Sequence, residues 1–156
     1  MIAHKIPGFG ALRLEHLVLD YNGTLALDGR LLRGVRPRLR RLAPVLALHV
    51  VTADTFGGAR RALKGLPCKL VVLDAADQTR AKSVYVRRLG AAGTACIGNG
   101  RNDRGMLRAA RLGIAVLGEE GSAAAALAAA DLVAPSISVA LDLFLSPLRL
   151  TATLRA

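Results

Sequence analysis

Six short runs of nearly unbroken apolar residues recur along the chain, separated by segments in which apolar residues return every three or four positions. The runs are HLVLDY (16–21), VLALHVVTA (45–53), KLVVLDA (69–75), TACIGN (94–99), GIAVLG (113–118) and DLVAP (131–135). Strands covered on both faces read in this way, without the polar alternation of a half-exposed strand. The intervening spacing predicts helices in PRLRRLAPVL after Arg36, in TFGGARRALKGL after Asp54, and in QTRAKSVYVRRLG, which Gly90 closes. Two more are predicted in NDRGMLRAARLG, opening on Asn102, and in the Ala-rich EGSAAAALAAAD, with Ser122 as its N-cap. The tail SVALDLFLSPLRLTATLR predicts a helix that breaks near Pro147. Strand and helix in alternation predict an α/β fold, a doubly wound parallel sheet in three layers, with residues 1–156 as one domain.

One segment departs from that rhythm. TLALDGRLL is short and carries the two-residue turn Asp28-Gly29, so it predicts a β-hairpin flap over about residues 24–33 and no large cap domain. Asn22-Gly23, just before it, is a second turn dipeptide. By spacing alone it reads either as another hairpin turn or as a loop at the end of the first strand.

Hydrophobic residues make up 53% of the 156, yet aromatics are only 3% and tryptophan is absent, so the core has to be Leu, Val, Ile and Ala. No apolar run reaches bilayer length, and MIAHKIPGFGALRLEH lacks the long apolar stretch of a secretory signal. Cys68 and Cys96 have no metal-ligand spacing and sit in or beside apolar runs, as reduced core thiols do. These features lead us to expect a cytoplasmic protein without membrane insertion. Lys and Arg outnumber Asp and Glu by 22 to 11, a formal charge of +11 that favours anionic partners. The densest basic stretch, RGVRPRLRRL (33–42), has the spacing of a solvated helix face. The scarcity of aromatic rings to stack on bases argues against nucleic acid as a partner. His4, His16 and His49 carry no pattern and read as incidental.

In open α/β sheets ligands bind beyond the carboxyl ends of the strands. Asp20 ends the first run and is followed by Tyr21, Asn22, Gly23 and Thr24. Thr52 ends the second and is followed by Ala53 and Asp54. GNGRND (98–103) ends the TACI run, and Lys82 opens the helix before it; Lys64 and Lys69 lie too early to take that place. DYNGT, Thr52, Lys82 and GNGRND in this order resemble the haloacid dehalogenase (HAD) superfamily of phosphoryl-transfer enzymes. The nearest likeness is to its small capless proteins related to the P-type ATPases, through DYNGT, TADTFG, GNGRND and the closing RLTATLR.

The resemblance implies a Mg²⁺-dependent phosphohydrolase or phosphotransferase. Asp20 would be the nucleophile that becomes an aspartyl phosphate. Mg²⁺ would be held by Asp20, the Asn22 backbone carbonyl, Asn99 and Asp103, the last through water. Thr52 and Lys82 would hold the phosphoryl oxygens, Asn102 would orient the group, and Tyr21, Gly23 and Ala53 would contribute to phosphate binding from the backbone. Phosphorylated small molecules or macromolecules would be the substrates, and a homo-oligomer could supply a lid. Asp54 and Asp74 are lesser candidates for substrate contact, and Gly121-Ser122 reads as a helix cap.

Two carboxylates of the HAD pattern are amides in this chain. Asn22 stands where the family's acid/base Asp stands, and an amide neither donates nor accepts the required proton. Asn99 stands in place of a direct metal-binding Asp, leaving a neutral oxygen. Slow turnover is expected, and the alternative is a phosphate- or nucleotide-binding regulatory module that does not turn over.

Overall fold

A computed structural model of the chain describes residues 1–54, 57–73 and 76–156; Asp74 lies outside the described residues. The chain opens with an antiparallel pair, β1 (Ile2–Ile6) and β2 (Gly10–Leu14), that the apolar-run pattern does not predict. Their inward residues alternate over only five positions each, too few to stand out. Then come β3 (His16–Asp20), the short β4 (Ala26–Leu27) and β5 (Arg30–Leu31), α1 (Val35–Leu42), β6 (Ala47–Thr52), α2 (Gly58–Ala62) and β7 (Lys69–Val72). The second half runs α3 (Gln78–Leu89), β8 (Thr94–Gly98), a 3₁₀ turn (Arg101–Asp103) leading into α4 (Arg104–Ala109), and β9 (Leu112–Val116). It ends with α5 (Ala124–Leu127), β10 (Leu132–Ala134), α6 (Ile137–Leu145) and α7 (Pro147–Leu154).

Six strands form one parallel sheet in the order β10-β9-β8-β3-β6-β7. Alternate residues of its strands feed two cores. Leu17, Leu19, Leu48, Val50, Ile97 and Ile114 share one with Val35 and Leu39 of α1 and Leu141 and Phe144 of α6. Val18, Val51, Cys96 and Ala115 share the other with Val86 of α3, Met106 and Leu107 of α4 and Ala126 of α5. The result is the three-layer α/β architecture, buried on both faces, that the unalternating runs predict. From β3 the chain builds outward to β6 and β7, then crosses to β8 on the opposite side of β3. This is a topological switch point, where strand ends diverge and leave a crevice.

Between β3 and α1 the chain inserts only the hairpin β4–β5. Leu27 pairs with Arg30, and Asp28 and Gly29 take φ of 48° and 75°, as a two-residue type I′ turn requires. The Tyr21 hydroxyl donates to Gly29 O at 2.9 Å and straps the hairpin to the loop after β3.

Two helix expectations need correction. The basic stretch on α1 is only partly a solvated face: Arg38 makes a bidentate pair with Asp142 of α6, 2.8 Å at each contact, and Arg36 donates to Ala62 O at 2.7 Å. Ser122 does not cap the Ala-rich helix, which is only four residues long. Instead its hydroxyl donates to Asn99 O at 3.2 Å, drawing the loop before α5 toward the end of β8. The tail breaks as expected, with α6 and α7 bent by 107°, and among the described residues no single helix is long and apolar enough to cross a membrane. Cys96 is buried and Cys68 half-buried, and both are free thiols.

Candidate active site

The pleat of β3 turns Val18 and Asp20 toward the layer of α3, α4 and α5. Helix α3 is N-capped by Asp77, whose carboxylate accepts from Arg80 N at 3.0 Å, and it directs Lys82 under the sheet end. The Lys82 side chain is 1% exposed. Its Nζ donates to Asp20 Oδ1 at 2.6 Å and to Asp103 Oδ1 at 2.7 Å. The other oxygens of both carboxylates are also occupied. Asp20 Oδ2 accepts from Thr24 Oγ1 at 3.1 Å; Asp103 Oδ2 accepts from Asn99 N at 3.0 Å and Gly100 N at 2.8 Å.

One ammonium cannot neutralise two buried carboxylates. Burial first, and then the negative charge of Asp103, push the Asp20 carboxyl up to about 7, against the attraction of Lys82. Burial works to lower the Lys82 ammonium, but the two carboxylates together overcome it and leave it raised. The trio thus holds Lys82 charged while Asp20 carries the unbalanced part of the charge.

Above the trio opens a cavity of about 250 Å³. Asp20, Lys82 and Thr52, deeply buried, form its floor; Asn22 and Ala53 line it from the ends of β3 and β6, Asn99, Gly100 and Asn102 from the end of β8, and Gln78 and Glu120 complete the lining. Thr52 is 3% exposed, and its hydroxyl accepts from Asp54 N at 3.2 Å. Residues that follow four strands, together with one helix, up to 100 positions apart (20 to 120), therefore meet at the switch point.

The structure adds detail to three of the expected residues. Asp103 does not face the cavity; it is fully buried beneath it, committed to Lys82 and to the turn at 99–100. The Gly23 N–H does not aim at a phosphate either, because it donates to Ala26 O at 2.8 Å. Glycine is required there for another reason: φ is 76°, and a Cβ would meet Asn99 Nδ2 at 2.5 Å. The Tyr21 side chain packs in the core with its hydroxyl on the flap, so only its backbone is left for the expected role. Asp54, at φ 37°, caps the start of α2 by accepting from Ala59 N at 2.8 Å, and lines a separate cavity of about 310 Å³ beside Asn22.

Gln78 and Glu120 join the lining without a signal in the motif pattern. Glu120 is nonetheless within reach of sequence reasoning: it follows the fifth sheet run, and the strand-end rule extends to that run as much as to the others. The histidines are not idle. His49 Nδ1 lies 2.8 Å from the Tyr85 hydroxyl and its Nε2 3.1 Å from His16 Nδ1, a chain of contacts under α3 in which burial lowers His49 to about 4. On the far side of the loop at 22–24 lies a larger, mostly apolar cleft of about 600 Å³, between Leu32 and Arg33 after the hairpin and the start of α6.

The donor set facing the small cavity suits a hard cation. Asp20 offers a carboxylate, and Asn22 and Asn99 offer neutral carbonyl oxygens, a weakly charged set of the kind Mg²⁺ accepts while retaining waters. Among the described residues no three His, Cys, Asp or Glu side chains gather as a closed metal-ligand group of the structural type.

A parallel α/β sheet with an aspartate ending its central strand, a threonine ending the next, and a buried lysine joining two aspartates has the fold of the HAD superfamily. Solved structures agree. The cobalt-bound deoxy-D-mannose-octulosonate 8-phosphate phosphatase of Haemophilus influenzae is 16% identical, with TM-score 0.72 over 92% of this chain and 94% of that one. A 3-deoxy-D-manno-octulosonate 8-phosphate phosphatase of Moraxella catarrhalis, holding magnesium, phosphate and the sugar acid, is 19% identical with TM-score 0.66, covering 89% and 90% of the two chains. A zinc-transporting PIB-type ATPase is 23% identical with TM-score 0.63; the match covers 78% of this chain but only 20% of the transporter. In sequence, an uncharacterized protein of Methanocaldococcus jannaschii is 48% identical over 59 residues, 38% of this chain and 63% of that protein, so the match spans less than two thirds of the relative's length. No family model matches the chain.

Proposed function

We propose that the chain is a divalent-cation-dependent phosphotransferase or slow phosphohydrolase that captures a phosphoryl group on Asp20. The observation that carries this reading is the placement of Lys82 between Asp20 and Asp103 at the floor of a small polar cavity. An Asp20 oxygen attacks phosphorus, the bond to the leaving oxygen breaks, and an acyl phosphate remains on the chain. Lys82 and the Thr52 hydroxyl meet the charge of the non-bridging oxygens, and the Asn102 amide orients the group. Asp103 acts from below by fixing Lys82. Asp20, the Asn22 carbonyl and Asn99 would hold Mg²⁺, which supplies charge neutralisation for the phosphoryl group.

The next step is where this chain differs from an acid/base phosphatase. Asn22 has no proton to give the leaving group and cannot deprotonate water, so capture outruns hydrolysis. With acetyl phosphate and Mg²⁺, intact-mass analysis should find phosphoprotein on the natural chain. Asn22→Asp should raise steady-state turnover by about 10²-fold or more. Freshly purified protein is needed, because deamidation of Asn22 before Gly23 would create the same carboxylate. If neither protein is phosphorylated and neither turns over at any Mg²⁺ concentration, the reading is wrong. Sugar-acid phosphates belong in the first substrate screen, given the named substrates of two structural neighbours.

The two amides also favour a second reading, a module that binds phosphate ligands without turnover. Melting temperatures would then rise with Mg²⁺ and a phosphorylated ligand while no phosphoprotein forms.

A further inference from the structure

Asn99 ends β8 with both arms of its amide engaged. Its Oδ1 lies 3.1 Å from Thr24 Oγ1, whose single proton it shares with Asp20 Oδ2, and its Nδ2 donates to Gly121 O at 3.0 Å. A carboxylate in this place would have no proton for the Gly121 carbonyl and would set oxygen against oxygen. The backbone of Asn99 repeats the attachment, since its carbonyl accepts from Ala123 N at 2.9 Å and from Ser122 Oγ at 3.2 Å. Asn99 is therefore the peg that holds the loop at 117–123 against the cavity.

That loop carries Glu120. Its Oε2 lies 2.8 Å from the point a Cβ on Gly23 would occupy, and Asn99 Nδ2 and Oδ1 lie 2.5 and 2.9 Å from the same point. The Glu120 carboxylate thus stands beside the Asn99 amide, lining the cavity that Asp20 floors. Among the described residues it makes no hydrogen bond or ion pair. It is an exposed side chain, so its carboxylate is free to face the cavity without displacing a partner. Asp103, the other acid expected here, is turned away and bound to Lys82, so Asp20 and Glu120 are the two carboxylates that line the cavity.

We propose that Glu120 belongs to the cation site: presented by the loop that the Asn99 amide holds, it returns to the cavity the negative charge absent at positions 22 and 99. The amide at 99 and the acid at 120 are then one arrangement. Position 99 gives up charge to gain a donor that fixes the loop, and the loop brings charge back from the other side. Glu120 acts on a hard cation through its charge and through water. The inference rests on the cation part of the proposed function and refines which residues create it.

Mn²⁺ is a suitable probe, with binding followed by electron paramagnetic resonance and by calorimetry on the natural chain, Glu120→Gln, Glu119→Gln and Asn99→Asp. Glu120→Gln should weaken Mn²⁺ binding by about tenfold or more. Its melting temperature should stay unchanged, because the side chain is exposed and unpaired. Glu119→Gln makes the same change in net charge one residue away and should bind like the natural chain. Asn99→Asp should lower the melting temperature of the metal-free protein. Equal Mn²⁺ affinity in Glu120→Gln and the natural chain would overturn the assignment while leaving the cation reading intact. An unchanged melting temperature in Asn99→Asp would overturn the role of the amide as the loop's peg. If the natural chain itself binds no Mn²⁺, the cation part of the proposed function falls, and this inference falls with it.

Discussion

Asp20→Asn should melt well above the natural chain at pH 8 and level with it near pH 4, and under the proposed function it should capture no phosphoryl group. The cause is the crowding of charge around Lys82. In the folded chain Asp20 is pushed from 3.8 up to about 7, chiefly by burial and then by Asp103. A carboxyl whose folded pKa lies above its unfolded value holds its proton more tightly when folded. Stability from this group is therefore full below about pH 4 and declines as pH rises toward 7. The amide has no charge to bury. It also fits the hydrogen bonds. The oxygen of the new amide would still accept from Lys82, and its nitrogen would donate to Thr24 Oγ1, whose own proton can go to Asn99 Oδ1, 3.1 Å away in the natural chain. Lys82 would keep Asp103, leaving one buried positive charge facing one negative. The expected gain at pH 8 is on the order of 2–4 kcal/mol.

The comparison between variants matters, because the raw stability curve mixes two opposing groups. His49 is held down to about 4, so its contribution is lost as pH falls from about 6.5 toward 4. That loss is common to both proteins and cancels in their difference. Chemical denaturation of each at pH 4, 6 and 8 is the measurement. A constant gap across that range would mean that the folded chain does not strain the Asp20 charge.

The sheet is legible in the sequence because its signal is strong at short range: each buried strand is an apolar run, and each run ends in polar residues at one edge of the fold. Asp20, Thr52, Lys82 and Asn99 can be placed for that reason. The departures involve partners that local pattern does not encode. Asp103 looks like Asn99 and Asn102 in the string GNGRND, yet only the 3₁₀ turn at Arg101–Asp103 decides that it points inward to Lys82. Gly23 reads as a bare amide at a turn, but the flap supplies Ala26 O to take it. The hairpin at 2–14 escapes the pattern because five-residue alternation with a Pro-Gly-Phe connection is weak evidence by itself. Glu120 reaches the site only through a loop tied down from β8, 21 residues away in sequence (99 to 120).

Lys82→Met is expected to be the most damaging single change in the molecule. It removes the positive charge that Asp20 and Asp103 share and leaves two carboxylates in a site where Asp103 is fully buried and Asp20 nearly so. Breaking a buried pair in this way costs about 3–5 kcal/mol, more than the lost contact itself, because the remaining charge stays desolvated. Here two charges remain, and the charge of Asp103 pushes the Asp20 carboxyl further up. The penalty should therefore be largest at pH 8 and shrink toward pH 4, where a proton can take the place of the ammonium. Under the proposed function phosphoryl capture should vanish at every pH, since Lys82 is the cation proposed to meet the phosphoryl oxygens. Lys82→Met combined with Asp20→Asn separates these effects. One carboxylate fewer should recover a large part of the stability at pH 8 without any return of activity, a coupling readable from a double-mutant cycle. Simple additivity of the two changes would show that Lys82 serves packing alone. Recovery that depends on pH in the stated direction would place the balance of charge among Asp20, Lys82 and Asp103 at the centre of the fold's stability.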